Sequence, residues 1–98
     1  MELEDIGLCK KGESGKFVES SDFTPEGDVP MNTGGGLLSS GQTGLAGGFV
    51  PLVEAVRQLK GEASARQVKN PKSALVTGGG GIAYGKNLGN CMSAILST

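Results

Sequence analysis

The chain has 98 residues, of which 37% are hydrophobic and only 4% aromatic, with no tryptophan and 18 glycines. Such a chain is one domain at most, short of large side chains for a core, and its glycines raise the entropic cost of ordering it, so an assembly is expected rather than an isolated monomer. A net charge of -1, with bases scattered among acids, argues against a nucleic-acid surface; no apolar run reaches membrane-spanning length and the start does not read as a signal peptide, so a cytoplasmic location is the expectation.

In chain order, residues 2–8 read as the tail of a helix with Leu3 and Ile6 on one side. Residues 10–28 are polar and rich in breakers and read as a loop, pinned by Phe17, Val18 and Phe23. A short strand is expected at Val29–Asn32, entering a glycine-rich turn that runs to Gly48. An apolar stripe of Leu45, Phe49, Leu52, Val53, Val56 and Leu59 then predicts an amphipathic helix that Gly61 ends, with Pro51 either kinking it or delaying its start. Residues 65–72 form a linker broken by Pro71. A short buried strand follows at Ser73–Thr77, a glycine-rich hairpin connection at Gly78–Gly89, and a final strand at Asn90–Ser97, antiparallel to the one before. Gly78, Gly80 and Ala83 fit a loose dinucleotide fingerprint, but too little chain follows for a βαβ unit.

The chemistry concentrates in the turn, Asn32-Thr-Gly-Gly-Gly-Leu-Leu-Ser-Ser-Gly-Gln-Thr-Gly-Leu-Ala-Gly-Gly48. Glycines let backbone N–H groups approach a ligand closely, and the helix that follows adds unpaired donors and the positive end of its dipole, an arrangement suited to a phosphate or a developing oxyanion. Gly36-Leu-Leu-Ser-Ser-Gly41-Gln42-Thr43 has the spacing of a P-loop with Gln42 in the lysine's place. An uncharged amide does not supply the charge that reaches the outer phosphates, which argues against nucleotide binding. Cys9 and Cys91 have no C-x-x-C spacing and no histidine to join them, so no metal site is expected. Both cysteines read first as packing residues, with a reactive Cys91 beside the glycines as the alternative.

Asn32, Gly35, Gly36, Leu37, Leu38, Ser39, Gly41, Ala46 and Gly48, then Glu54-Ala-Val-Arg-Gln-Leu-Lys-Gly61, Arg66-Gln-Val68, Ala74-Leu-Val-Thr-Gly-Gly-Gly-Gly81 and Ser93-Ala-Ile-Leu96, together resemble the C-terminal half of thiolases, above all the sterol-carrier and lipid-transfer branch with its N-x-S-G-G-L-L-S-x-G-H-P-x-G-A-T-G and E-A-V-x-Q-L-x-G segments. The resemblance covers nearly the whole chain. It implies an α/β architecture, a mixed β-sheet with flanking helices, in which residues 1–98 form a partial C-terminal domain: a helix end and polar loop over 1–28, then strand, turn, helix and two final strands over 29–98. The implied chemistry is acyl transfer, as in acetyl-CoA acetyltransferases, or carbon–carbon bond cleavage or formation next to a thioester, with coenzyme A as a substrate moiety and no resident cofactor.

Gln42 stands where the family carries the histidine of G-H-P, and the chain has no histidine. An amide has no usable pKa for general-base work, so ordinary cysteine–histidine thiolase chemistry is in doubt, although Gln42 can both donate to and accept from a thioester carbonyl group's surroundings. Thr43 replaces the proline, and Leu45 and Gly47 depart from G-A-T-G. The family's nucleophilic cysteine and the asparagine of its N-E-A-F segment are expected upstream of Met1. The resemblance therefore implies a chain inactive alone, completed by a partner carrying the missing thiolase half in a homo- or hetero-oligomer and associating with a small OB-fold acyl-CoA-binding protein. Candidate catalytic residues are Gln42, Thr77, where other thiolases carry cysteine or histidine before the glycines, and Tyr84, whose phenol, with an ordinary pKa near about 10, is a proton or hydrogen-bond donor for an enolate. Thr77 reads first as a strand-end hydroxyl on backbone, Tyr84 equally as a loop anchor, and Lys86 and Asn87 as solvated loop residues rather than ligands of a coenzyme A phosphate. Candidate substrate-binding residues are Asn32, Gly35, Gly36, Gly41 and Thr43. The competing reading is a non-catalytic scaffold, an acyl-CoA- or lipid-binding subunit, or a truncated fragment.

Overall fold

The computed structural model describes residues 2–42, 44–84 and 87–98, with side chains described for all of these except Leu45 and residues 79–92. Two compact units divide at Met31 and Asn32.

In the first unit, α1 spans Glu2–Asp5 and α2 spans Ser14–Ser20. The Glu4 carboxylate accepts from the backbone N–H groups of Gly12 at 3.0 Å and Ser14 at 3.3 Å, satisfying donors at the start of α2 that no residue beside the helix caps. Lys11 pairs with Asp5 across the same bend. The expected loop over 10–28 thus contains a helix, because a carboxylate contributed from earlier in the chain supplies the cap. Phe17 on α2 meets Phe23 edge-on, ring centroids 6.2 Å apart, so the aromatic pin read from the sequence is present. The expected strand at Val29–Asn32 is absent. Its Val29 and Met31 N–H groups bond instead to the carbonyls of Asp22 and Phe23 in a local loop, with Asp22 and Asp28 carboxylates taking further turn donors.

The second unit carries α3 over Gly36–Ser40, a 3₁₀ turn over Gly44–Gly48, α4 over Phe49–Lys60, a second 3₁₀ turn at Ser64–Arg66, and a hairpin of β1, Ser73–Tyr84, and β2, Asn87–Ser97. Pro51 lies in the first turn of α4, where a missing N–H is tolerated, and the helix starts late rather than kinking. Gly61, at φ 75°, ends it: the Gly61 N–H bonds to the Gln58 carbonyl and the Glu62 N–H to the Arg57 carbonyl, the two reverse bonds of a Schellman motif.

The sheet is two-stranded and antiparallel, pairing Ser73 with Ser97 and Thr77 with Ser93, and it supplies the β part of the α/β architecture. The strands run much further than the sequence suggests, through Gly78 and Gly79 paired with Met92 and Cys91, and the 78–89 connection is mostly ladder. Backbone pairing needs no side chain, so a partner strand in register overrides the low strand propensity of glycine. Between Gly79 and Ile82 the register slips, two residues of β1 opposing one of β2 in a bulge.

The apolar groups are poorly covered. Among the described residues only Ala55 and Ala63 are buried hydrophobics, while Leu38 is fully exposed, Ile95 is 77% exposed and Phe49 64%. Leu75 of β1, expected on a buried strand, is exposed as well, because one helix cannot cover both faces of a two-stranded ribbon. Exposed apolar groups of this size favour association. Sedimentation of the chain at micromolar concentration is expected to show a dimer or larger species, and a heat-resistant monomer would remove that expectation.

Candidate functional site

The glycine-rich turn is built from backbone conformations that its sequence permits. Asn32 sits at φ 50° and its carbonyl accepts the Gly35 N–H at 2.8 Å, reversing the chain; Gly35 at φ 74° and Gly36 at φ 63° then lead into α3. A side chain at Gly35 would be strained and would also collide with Ser39, so this position needs glycine twice over. Gly41, at φ 82°, closes α3 by donating its N–H to the Leu37 carbonyl at 2.9 Å. Gln42 follows at the exposed tip, and Gly44 at φ 62° opens the 3₁₀ turn that runs into α4. The helical run therefore begins just beyond Gln42, closer to the tip than the helix proper.

Both ends of the turn are fixed. On the exit side Gly47 is buried against Leu37, where an added Cβ would fall 3.3 Å from the Leu37 side chain. On the entry side Thr33 and Gly34 rest on α4. Thr33 Oγ1 donates to Glu54 Oε1 at 2.9 Å, and Gln58 Nε2 reaches Thr33 Oγ1 at 3.1 Å, Glu54 Oε1 at 3.0 Å and the Arg66 carbonyl at 2.8 Å. Arg66 grips the Glu54 carboxylate through Nε, at 3.0 and 3.1 Å, and Nη2, at 2.9 Å. The Val68 N–H donates to Gln58 Oε1 at 2.8 Å, completing the amide's partners. Glu54 and Gln58 are four residues apart and so share one helix face. That spacing was visible in the sequence, whereas their joint target, Thr33, was not.

Hydrogen bonds from Arg66 hold the Glu54 carboxyl at a pKa of about 2, and those from Gln58 and Thr33 add to the effect, outweighing the burial that acts against ionisation. The same pairing raises the Arg66 pKa. Beside this network an open groove of about 270 Å³ runs between turn and helix, walled by Gly34, Ser40, Phe49, Val53 and Arg57.

Of the sequence-derived candidates, Asn32, Gly35, Gly36, Gly41 and Gln42 share this one turn. Thr43 lies outside the described residues. Thr77 is exposed on β1 opposite Ser93, and no hydrogen bond joins it to the turn among the described residues. Tyr84 ends β1 opposite Asn87, with the side chains of both, like that of Cys91, outside the described residues, as is Lys86. Cys9 is half-buried and unpaired. Among the described residues no cluster of three or more metal-binding side chains occurs, and no helix is long and apolar enough to cross a membrane.

The family model described as thiolase C-terminal domain-like matches residues 1–97, and the chain belongs to that family. The chain is 38% identical over 79 residues to an acetyl-CoA acetyltransferase of Methanothermobacter thermautotrophicus, covering 81% of this chain and 21% of that protein. It is 44% identical over 72 residues to sterol carrier protein 2 of Bos taurus, covering 74% and 13%. A 17-hydroxy-3-oxo-4-pregnene-20-carboxyl-CoA lyase of Mycobacterium tuberculosis is 36% identical over 86 residues, covering 84% and 20%. The chain thus spans 13% to 21% of the length of these relatives. No solved structure matches it significantly.

The ionised Glu54 is the form the fold binds, so its contribution to stability is complete above the ordinary carboxyl pKa of 4.5 and is lost as pH falls from there through about 2. Glu54→Gln is expected to lower the thermal midpoint near neutral pH and to flatten this acid limb, as read by circular-dichroism melts across the range. Parallel acid limbs in the two proteins would show that Glu54 is not the group responsible.

Proposed function

We propose that this chain is the C-terminal part of a thiolase-like acyl-CoA enzyme, acting in acyl transfer or in carbon–carbon bond cleavage or formation next to a thioester. The observation that carries the reading is the family match across residues 1–97, which includes the whole glycine-rich turn. The names of the relatives, an acetyltransferase of acetyl-CoA and a lyase of a carboxyl-CoA, support a thioester substrate. Coenzyme A belongs to the substrate, and no resident cofactor is required.

Catalysis by this reading needs the nucleophile-bearing thiolase half, supplied as further polypeptide or by a partner chain in a homo- or hetero-oligomer, with a small OB-fold acyl-CoA-binding protein as a further associate in the cytoplasm. Gln42 sits at the exposed tip between two left-handed glycines, free to present its side-chain amide to a thioester carbonyl. An N–H donated there stabilises negative charge developing on the carbonyl oxygen but removes no proton. The proton-transfer groups therefore lie elsewhere, with Tyr84 and Thr77 of the hairpin as this chain's candidates. Asn32, Gly35, Gly36 and Gly41 shape the backbone that approaches the thioester, and Thr43 is a further substrate-binding candidate. The histidine-free composition and Gln42 favour one second reading, a non-catalytic scaffold or an acyl-CoA- or lipid-binding subunit, in which the turn holds ligand without turning it over.

The isolated chain is expected to show no turnover of acetoacetyl-CoA with free coenzyme A, and turnover above background would overturn this division of catalytic groups. In the complete assembly, Gln42→Ala is expected to lower kcat/KM roughly tenfold, the equivalent of one hydrogen bond worth about 1–3 kcal/mol, with an unchanged thermal midpoint. Gly41→Val is expected to be worse, since φ 82° strains a β-branched residue. Full activity in Gln42→Ala would leave the turn a purely structural role.

A further inference from the structure

We propose that Glu54 and Gln58, acting through the Thr33 hydroxyl and close contact with Gly34, form a clamp that positions the glycine-rich turn for its ligand. These are positioning residues. The catalytic consequence rests on the thioester reading above, whereas the clamp itself is a property of this chain.

Three observations carry it. First, Thr33 is held between two side chains of α4, donating to Glu54 Oε1 at 2.9 Å and lying 3.1 Å from Gln58 Nε2, which fixes the residue immediately before the glycines. Second, Gly34 lies so close to the carboxylate that an added Cβ would meet Glu54 Cγ at 3.1 Å, Cδ at 3.2 Å and Oε2 at 3.3 Å. Its φ is not in the left-handed region, so the close approach, rather than backbone conformation, asks for glycine here. Third, the clamp is anchored: Arg66 holds both carboxylate oxygens and Gln58 is 6% exposed, with its amide bonded to the Arg66 carbonyl and the Val68 N–H. Side chains so fully engaged present Thr33 with one geometry. With Leu37 packed on Gly47 at the other end, the turn is fixed at both feet and its tip, Gly41 and Gln42, is left facing solvent.

The test uses substitutions outside the Glu54–Arg66 pair itself. Thr33→Val removes the hydroxyl, Thr33→Ser restores it, and Gly34→Ala inserts a methyl group against Glu54. Amide exchange by NMR on the full chain reads the outcome at Gly35, inside the turn, against Gly61, whose N–H caps α4. Thr33→Val and Gly34→Ala are expected to speed exchange at Gly35 by about fivefold or more, Thr33→Ser to restore it, and none to alter Gly61. Unchanged exchange at Gly35, or equal acceleration at both glycines, overturns the clamp. In the complete assembly, Thr33→Val is expected to lower kcat several-fold with KM unchanged, and Thr33→Ser to recover it. A wild-type kcat in Thr33→Val beside an impaired Gln42→Ala overturns the clamp's catalytic role. Full activity in Gln42→Ala instead removes the catalytic reading of the turn, and the clamp then stands or falls on the exchange rates.

Discussion

The carboxylate of Glu54 organises the second unit of the chain. It sits on α4, is mostly withdrawn from water, and binds three groups from three places: Arg66 beyond the helix, Gln58 one turn along it, and Thr33 before the glycine-rich turn. A charge removed from water is tolerated only when its lone pairs are taken up by good donors, and an arginine fork with an amide and a hydroxyl meets that condition. These shared hydrogen bonds tie the segments 33–34, 54–58 and 66–68 to one another. The Glu54–Arg66 bridge is therefore more than a surface ion pair, since it connects the turn, the helix and the approach to β1.

That framework explains how a stretch with so many glycines adopts a defined path. Glycine makes the left-handed conformations at Gly35, Gly36 and Gly41 accessible but does not select them. Selection comes from the feet, Thr33 and Gly34 against Glu54 at one end and Gly47 against Leu37 at the other. Between them run the short helix Gly36–Ser40, the exposed Gln42 and the start of the 3₁₀ turn at Gly44. The Gln42 amide can donate and accept hydrogen bonds but has no usable pKa for moving a proton near neutral pH.

The hairpin and α4 leave apolar side chains uncovered. Phe49 and Ile95 stand largely in solvent, and the buried apolar residues described are two alanines. A two-stranded ribbon is marginal by itself and gains stability when further strands or helices cover its faces. The chain spans 13% to 21% of the length of the relatives it matches.

The amino-acid sequence by itself determined the features that local chemistry controls: the amphipathic helix and its stop at Gly61, the antiparallel final strands, the aromatic pin of Phe17 and Phe23, and the motif string that places the chain in its family. The helix, its stop and the aromatic pin depend on residues a few positions apart or on a conformation glycine favours, and the strands and the family are read from residue patterns along the chain. The tertiary structure decided the rest. Helix α2 forms where the sequence reads as loop because Glu4 reaches it from the preceding helix, and no strand forms at Val29–Asn32 because its donors find carbonyls in the neighbouring loop. Strands β1 and β2 extend through glycines because pairing is set by the partner backbone. The union of Thr33 with Glu54, Gln58 and Arg66 spans more than thirty residues of chain, and no periodicity records a contact made across such a separation by side-chain hydrogen bonds.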